Sequence, residues 1–188
     1  MPDLLEQLWT EVINPDPDGR WMEKVDHVPP NLKGHFPDCA AALQRLRQVG
    51  SPMDLGQVSR FVRYESCFEI LASLDSLVLR GQEPIKLEPL IEVAFSGGKV
   101  PRGMAEFMES LRETLSTDDD GEWLLGLSGV EHPWLSEVGS AVDRLVKAGA
   151  STTDLGQLAI WSSYESAQGT LRLLDAAGLS IPDETIGL

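Results

Sequence analysis

Residues 51–75 read SPMDLGQVSRFVRYESCFEILASLD, and residues 151–175 read STTDLGQLAIWSSYESAQGTLRLLD. Eleven of the 25 positions are identical without a gap. Unrelated segments of this composition would share about one or two. Internal self-similarity constrains a fold more than any local signal, because it says that one supersecondary unit occurs twice. The match continues upstream with small gaps. Arg45-Leu46 pairs with Arg144-Leu145, Gly50 with Gly149, and Asp18-Gly19-Arg20-Trp21 with Asp120-Gly121-Glu122-Trp123. Copy one therefore spans residues 1–82 and copy two 103–188. Residues 83–102 read as a linker holding one short apolar helix, Leu87–Phe95. The period is too long for a solenoid, so the pattern is a tandem duplication.

The pattern within each copy is helical. Ser51-Pro52-Met53-Asp54 sets Ser at an N-cap, Pro at the first helical position and an acid in the first turn. Ser151-Thr152-Thr153-Asp154 repeats the arrangement. Apolar residues at 55, 58, 61, 62, 68, 71, 74 and 77 then keep a helical period for about seven turns. Amphipathic helices over 38–49 and 135–148 come before the long ones, with Gly50 and Gly149 as C-terminal stops. Each copy opens with a further helix, near 3–13 and 103–115. No alternating β-branched run reads as a strand. The expected fold is all-α: two similar helical bundles packed about a pseudo-two-fold axis. Gly56 and Gly156 lie within the first turns of the long helices, where glycine costs about 1 kcal/mol relative to alanine. That cost, borne twice, points to close backbone approach by the preceding helix.

Charge narrows the function classes. The 188 residues carry 30 acidic and 15 basic side chains, a formal net charge of −15. Such a chain repels a phosphate backbone, so nucleic acid is excluded as a general partner. No run approaches the ~20 apolar residues of a membrane span. The acidic opening Met1–Glu6 has no apolar export core, so a cytoplasmic location is expected. Cys39 and Cys67 are too few for a disulfide scaffold and read as reduced thiols.

The candidate site is a polar cluster that recurs with the repeat: Trp21, Tyr64 and Glu65 in copy one, Trp123, Tyr164 and Glu165 in copy two. Glu65 borders the apolar stripe, so its carboxylate needs a donor or a raised pKa. A buried hydrogen bond to the repeated tryptophan is the structural expectation. Paired glutamates lining a cleft between the copies are the catalytic or metal-binding alternative.

Asn14-Pro15-Asp16-Pro17-Asp18-Gly19 resembles the opening of an EF-hand or dockerin calcium loop, and Ser116–Gly121 stands at the matching place. That resemblance implies oxygen ligands at alternating positions and a closing carboxylate at the twelfth. The twelfth positions here are Val25 and Leu127, so no calcium is assigned. His35, Cys39 and Cys67 form a conceivable zinc set, but copy two has Gly139 and Ala167 near the matching positions of the two cysteines. Phosphate loops, nucleophile elbows and His-Glu-x-x-His are absent.

The sequence therefore predicts a non-catalytic acidic helical module without a cofactor. It would bind a protein partner with a basic surface, in the manner of small immunity or antitoxin proteins. An enzyme or ligand-binding protein built on Glu65 and Glu165 is one alternative. A structural subunit docking through Leu87–Phe95 is the other.

Overall fold

A computed structural model describes residues 4–15, 37–75, 83–85, 87, 89–96, 104–115, 120–178 and 181–183. Helix α1 (Leu4–Gln7) runs into a π-helical turn, Leu8–Ile13, followed by α2 (Cys39–Val49) and α3 (Pro52–Asp75). Strand β1 (Glu83–Ile85) leads to α4 (Leu90–Ser96) and α5 (Ala105–Leu115). Then come α6 (Glu122–Leu125) with a 3-10 turn at Gly126–Gly129, α7 (Pro133–Lys147), α8 (Thr152–Ala176) and β2 (Ile181–Asp183).

The described residues are helical, as the periodicity predicts, apart from one antiparallel ribbon in which Pro84 faces Pro182. Three-residue strands centred on proline carry no alternation to read, so the ribbon was not expected.

Local chemistry sets the helix ends. The Ser151 side chain accepts a hydrogen bond from the Asp154 amide at 3.1 Å, capping α8. Both long helices open on the serine carbonyl, which accepts from Leu55 N at 3.0 Å in α3 and Leu155 N at 3.1 Å in α8. Gly178, in the left-handed region, follows the end of α8. Gly50 ends α2 for a different reason from the expected one. Its φ is −92°, which any residue can adopt. Glycine is needed because a Cβ would stand 2.8–2.9 Å from Leu145 Cδ2, the Leu46 carbonyl and Leu55 Cδ1.

The two long helices pack against each other at the centre. Helix α2 lies against α8, and α7 lies against α3. The same exchange appears in the polar contacts. Arg45 of α2 binds Asp154 of α8 at 2.6 Å, and Arg144 of α7 binds Asp54 of α3 at 2.6 Å. Along the long helices, Ser66 Oγ donates to Ser163 Oγ at 2.9 Å, and Ser166 Oγ donates to the Arg63 carbonyl at 2.7 Å. Small hydroxyl side chains let the two backbones come close while every buried hydroxyl in these pairs finds a partner.

One large apolar cluster runs through both halves of the chain. It joins Leu43 and Leu46 of α2, Leu55 and Val58 of α3, Phe107 and Leu111 of α5, Val142 and Leu145 of α7, and Leu155 and Leu158 of α8. The cluster therefore draws on helices from both halves of the sequence. Helix α8 is buried almost all round, so it can fold only where helices enclose it on every side. Leu90 and Ile91 at the start of α4 are also buried, as is Leu87 just before it, at 1–3% exposure.

The close approach at Gly156 comes from an unexpected quarter. A Cβ on Gly121 would lie 2.6 Å from Gly156 N and 2.2 Å from the Thr152 carbonyl. The turn before α6 thus presses on the start of α8, where the preceding helix α7 was expected.

Candidate functional site

The repeated tyrosine and glutamate occupy equivalent places on α3 and α8, yet their surroundings differ. Tyr164 is 1% exposed, inside the main core, whereas Tyr64 is 37% exposed. The Tyr64 ring meets Trp134 edge-on at 5.0 Å between centroids, and Trp134 meets Phe61 the same way at 5.5 Å. Such edge contacts match the positive rim of one ring to the negative face of the next. Phe61 also lies 6.3 Å from Trp123.

Glu65 is exposed. Burial of its carboxylate in a hydrogen bond to a repeated indole was expected, and the structure corrects this. The Trp123 Nε1 atom is buried with no hydrogen-bond partner among the described residues, so no carboxylate reaches it. The physical reason is angular. Tyr64, Glu65, Phe68, Glu69 and Ala72 make up one continuous solvent-facing strip of α3, about 140° wide at 100° per residue. Glu65 therefore sits just outside the apolar stripe that it borders in sequence. Partial desolvation and the neighbouring Glu69 carboxylate raise its pKa above the usual glutamate value.

Glu165 is half-buried and lies beside the Arg63 guanidinium of α3, not beside Glu65. The two glutamates therefore do not line one cleft among the described residues. Trp21, the remaining member of the cluster, lies outside the described residues.

On α3 the strip combines two aromatic rings with two carboxylates. Phe68 is 58% exposed, an unusual position for a phenylalanine, and follows Tyr64 by one helical turn. Glu69 follows Glu65 by the same interval, so the two carboxylates repel each other on one face. Sequence reasoning placed Phe68 in the apolar stripe, which its exposure corrects, and missed Glu69 and Trp134 as parts of this face. The i, i+4 pairing of both residue types was the available signal for Phe68 and Glu69. Trp134 comes from α7 and carries no local signal at all.

The metal readings fare differently at different positions. Among the described residues no three His, Cys, Asp or Glu side chains converge on a possible metal site. Cys39 lies in the main core, where its Sγ contacts the Gln157 carbonyl at 3.6 Å, while Cys67 belongs to a second cluster with Leu8 and Val12. The two sulfurs therefore do not share a site, and His35 lies outside the described residues. Of the two loops resembling calcium sites, Asp120 accepts a hydrogen bond from Glu122 N at 2.9 Å, which is turn chemistry. Residues 16–25 and 116–119 lie outside the described residues.

Burial pushes the Cys39 thiol up to about 12. A thiolate-specific disulfide reagent at about pH 8 is expected to leave Cys39 unmodified in the folded protein and to modify it on unfolding. Counting reacted thiols before and after adding denaturant checks this. Modification at the rate of a free thiol would contradict the buried placement.

Comparison of the chain with protein-family models, with curated proteins and with solved structures finds no match in any of the three. Among the described residues no helix is long and apolar enough to cross a membrane.

Proposed function

We propose that the chain is a tandem duplication whose copies interlock about a pseudo-two-fold axis, and that it is a non-catalytic module binding a basic protein segment on the exposed face of α3. Support for the duplication comes from the exchange of contacts. Arg45 and Arg144 are matched in the sequence repeat, as are Asp54 and Asp154, and each arginine binds the aspartate of the other copy. Ser66 with Ser163 and Ser166 with Arg63 repeat the exchange. A contact in which residue i meets j, while the partner's i meets j in return, is the mark of an isologous interface. In this reading the chain is a dimer fused into one polypeptide.

The observation that carries the binding role is the strip Tyr64, Glu65, Phe68 and Glu69. Aromatic rings beside paired carboxylates suit lysine or arginine side chains, through cation–π contact and charge together. A cation seated between Glu65 and Glu69 would relieve their repulsion. The formal charge of −15 would speed the encounter with a basic partner. Immunity and antitoxin proteins combine similar charge and size with this kind of task, and capture of a basic enzyme is the corresponding role here.

The test uses an amphipathic helical peptide bearing lysines and leucines, with a glutamate-for-lysine version as control. The lysine peptide is expected to bind the full chain with an affinity that falls as salt is added. Phe68→Ser and Glu69→Lys, both at exposed positions, are each expected to weaken binding by about tenfold or more while leaving thermal unfolding unchanged. Equal binding by both variants and the native chain would remove α3 as the docking face.

A further inference from the structure

The same face of the repeat looks different on α8. There it lines a cavity of about 250 Å³ whose walls include Glu11, Arg63, Trp161, Glu165, Gln168 and Arg172. In an acidic protein, two arginines on one small cavity are notable. Arg63 comes from α3 and is only 6% exposed. Its guanidinium donates to the Val12 carbonyl at 3.1 Å and, at 3.4 Å, to Ser59 Oγ, and lies 5.2 Å from the Trp161 ring centre. Those two bonds use a minority of its five N–H donors. Among the described residues no carboxylate comes within ion-pair distance of it. Desolvation lowers its pKa, and the Glu165 carboxylate only partly opposes that. A buried cation in this state favours an anionic group beside it.

Trp161, Glu165, Gln168 and Arg172 succeed one another at helical spacing on α8, so an aromatic ring, a carboxylate, an amide and a guanidinium face one space. The four charged side chains on the cavity balance, two arginines against two glutamates. A multiply charged anion such as phosphate would meet both carboxylates, and a metal cation would meet both arginines. A ligand carrying one charge of each sign meets neither objection. The volume is below the ~300 Å³ at which drug-sized pockets begin, which suits a metabolite of about ten heavy atoms.

We propose that this cavity binds a free α-amino acid, its carboxylate held by Arg63 and Arg172, its ammonium by Glu165, and its side chain against Trp161. Planar carboxylate matches the guanidinium fork, which can give two parallel hydrogen bonds. The site is separate from the proposed docking face: it is formed by α8, the π-helical turn and the buried Arg63 of α3, and uses none of the exposed strip of α3.

The experiment is titration calorimetry on the full chain with individual L-amino acids at millimolar concentration, accompanied by thermal unfolding. Three controls are run for each: the amino acid amide, the N-acetyl derivative and inorganic phosphate. At least one amino acid is expected to bind saturably and raise the unfolding midpoint by mass action. Its amide and its N-acetyl form are expected to lose that binding. Arg172→Gln, at an exposed position, is expected to weaken binding by about tenfold with unfolding of the unliganded protein unchanged, and Arg63→Lys by more. Several outcomes would overturn the proposal. They are no binding by any amino acid, equal binding of the amide, or binding of phosphate in preference to the zwitterions. Binding of the lysine peptide to α3 is read from different variants, so failure of one proposal is distinguishable from failure of the other.

Discussion

Gly121→Ala is expected to lower unfolding stability by about 2–5 kcal/mol. Two costs combine. Gly121 has φ +66°, where an L side chain is strained by about 1–2 kcal/mol. Its Cβ would also stand 2.2 Å from the Thr152 carbonyl and 2.6 Å from Gly156 N. Both are backbone atoms in the first turns of α8, which cannot rotate away as a side chain could, so the turn or the helix must shift. Gly126→Ala is the control, since nothing lies within 4 Å of a Cβ there and its φ is −69°. It is expected to be neutral or to stabilise by up to about 1 kcal/mol. Denaturant unfolding of both variants checks the contrast. A Gly121→Ala loss no greater than that of Gly126→Ala would mean that the turn does not press on α8.

This pair of glycines shows what the sequence could and could not reveal. The cost of a glycine inside a helix is local, so Gly156 announced a close approach from its position alone. The identity of the approaching group is not local, and Gly121 lies 35 residues away. Helices α2, α3, α5, α7 and α8 were legible for the same reason, because periodicity, caps and glycine stops are written in consecutive residues. The π-helical turn at Leu8–Ile13 and the proline-centred ribbon were not, since each depends on contacts that local pattern does not encode. Exchange of arginine–aspartate contacts between α2 and α8, and between α7 and α3, was equally hidden. Each aspartate looked fully explained as a first-turn acid, and Asp154 does serve the N-terminus of α8 while also binding Arg45.

The candidate site was half legible. Repetition of Tyr-Glu-Ser marked equivalent positions on the two long helices. It also suggested that both copies do the same thing there, and the structure separates them. On α8 the position after the glutamate's next turn is Gly169, whose absent Cβ would lie 3.0 Å from Val12. The π-helical turn therefore sits against α8 at that point. On α3 the matching residue is Glu69, exposed and charged. One substitution, glycine against glutamate, is enough to decide which face accepts a covering segment, because a glutamate cannot be buried under Val12 without a partner for its charge.

That divergence gives the second large prediction, in which one residue type at one repeat position has two different roles. Tyr164→Ala is expected to cost about 3–5 kcal/mol, since a ring 1% exposed within the main core leaves a cavity that its neighbours cannot fill. Tyr64→Ala removes a ring that is 37% exposed and, among the described residues, has one edge contact, with Trp134 at 5.0 Å. Its expected cost is about 1 kcal/mol, the range of an aromatic pair. Binding should reverse the order. Tyr64→Ala is expected to weaken the lysine peptide by about tenfold, as loss of an exposed anchor does. Tyr164→Ala, assayed well below its lowered unfolding midpoint, is expected to bind the peptide as the native chain does. Unfolding curves and peptide titrations on the two variants give four numbers that test the assignment together. Similar stability losses at both positions would place Tyr64 in the core as well. Similar binding losses would show that the peptide reads the whole fold and not the strip on α3. A crossed pattern follows only if duplication left both tyrosines in place while the packing around them assigned one to the core and one to the surface.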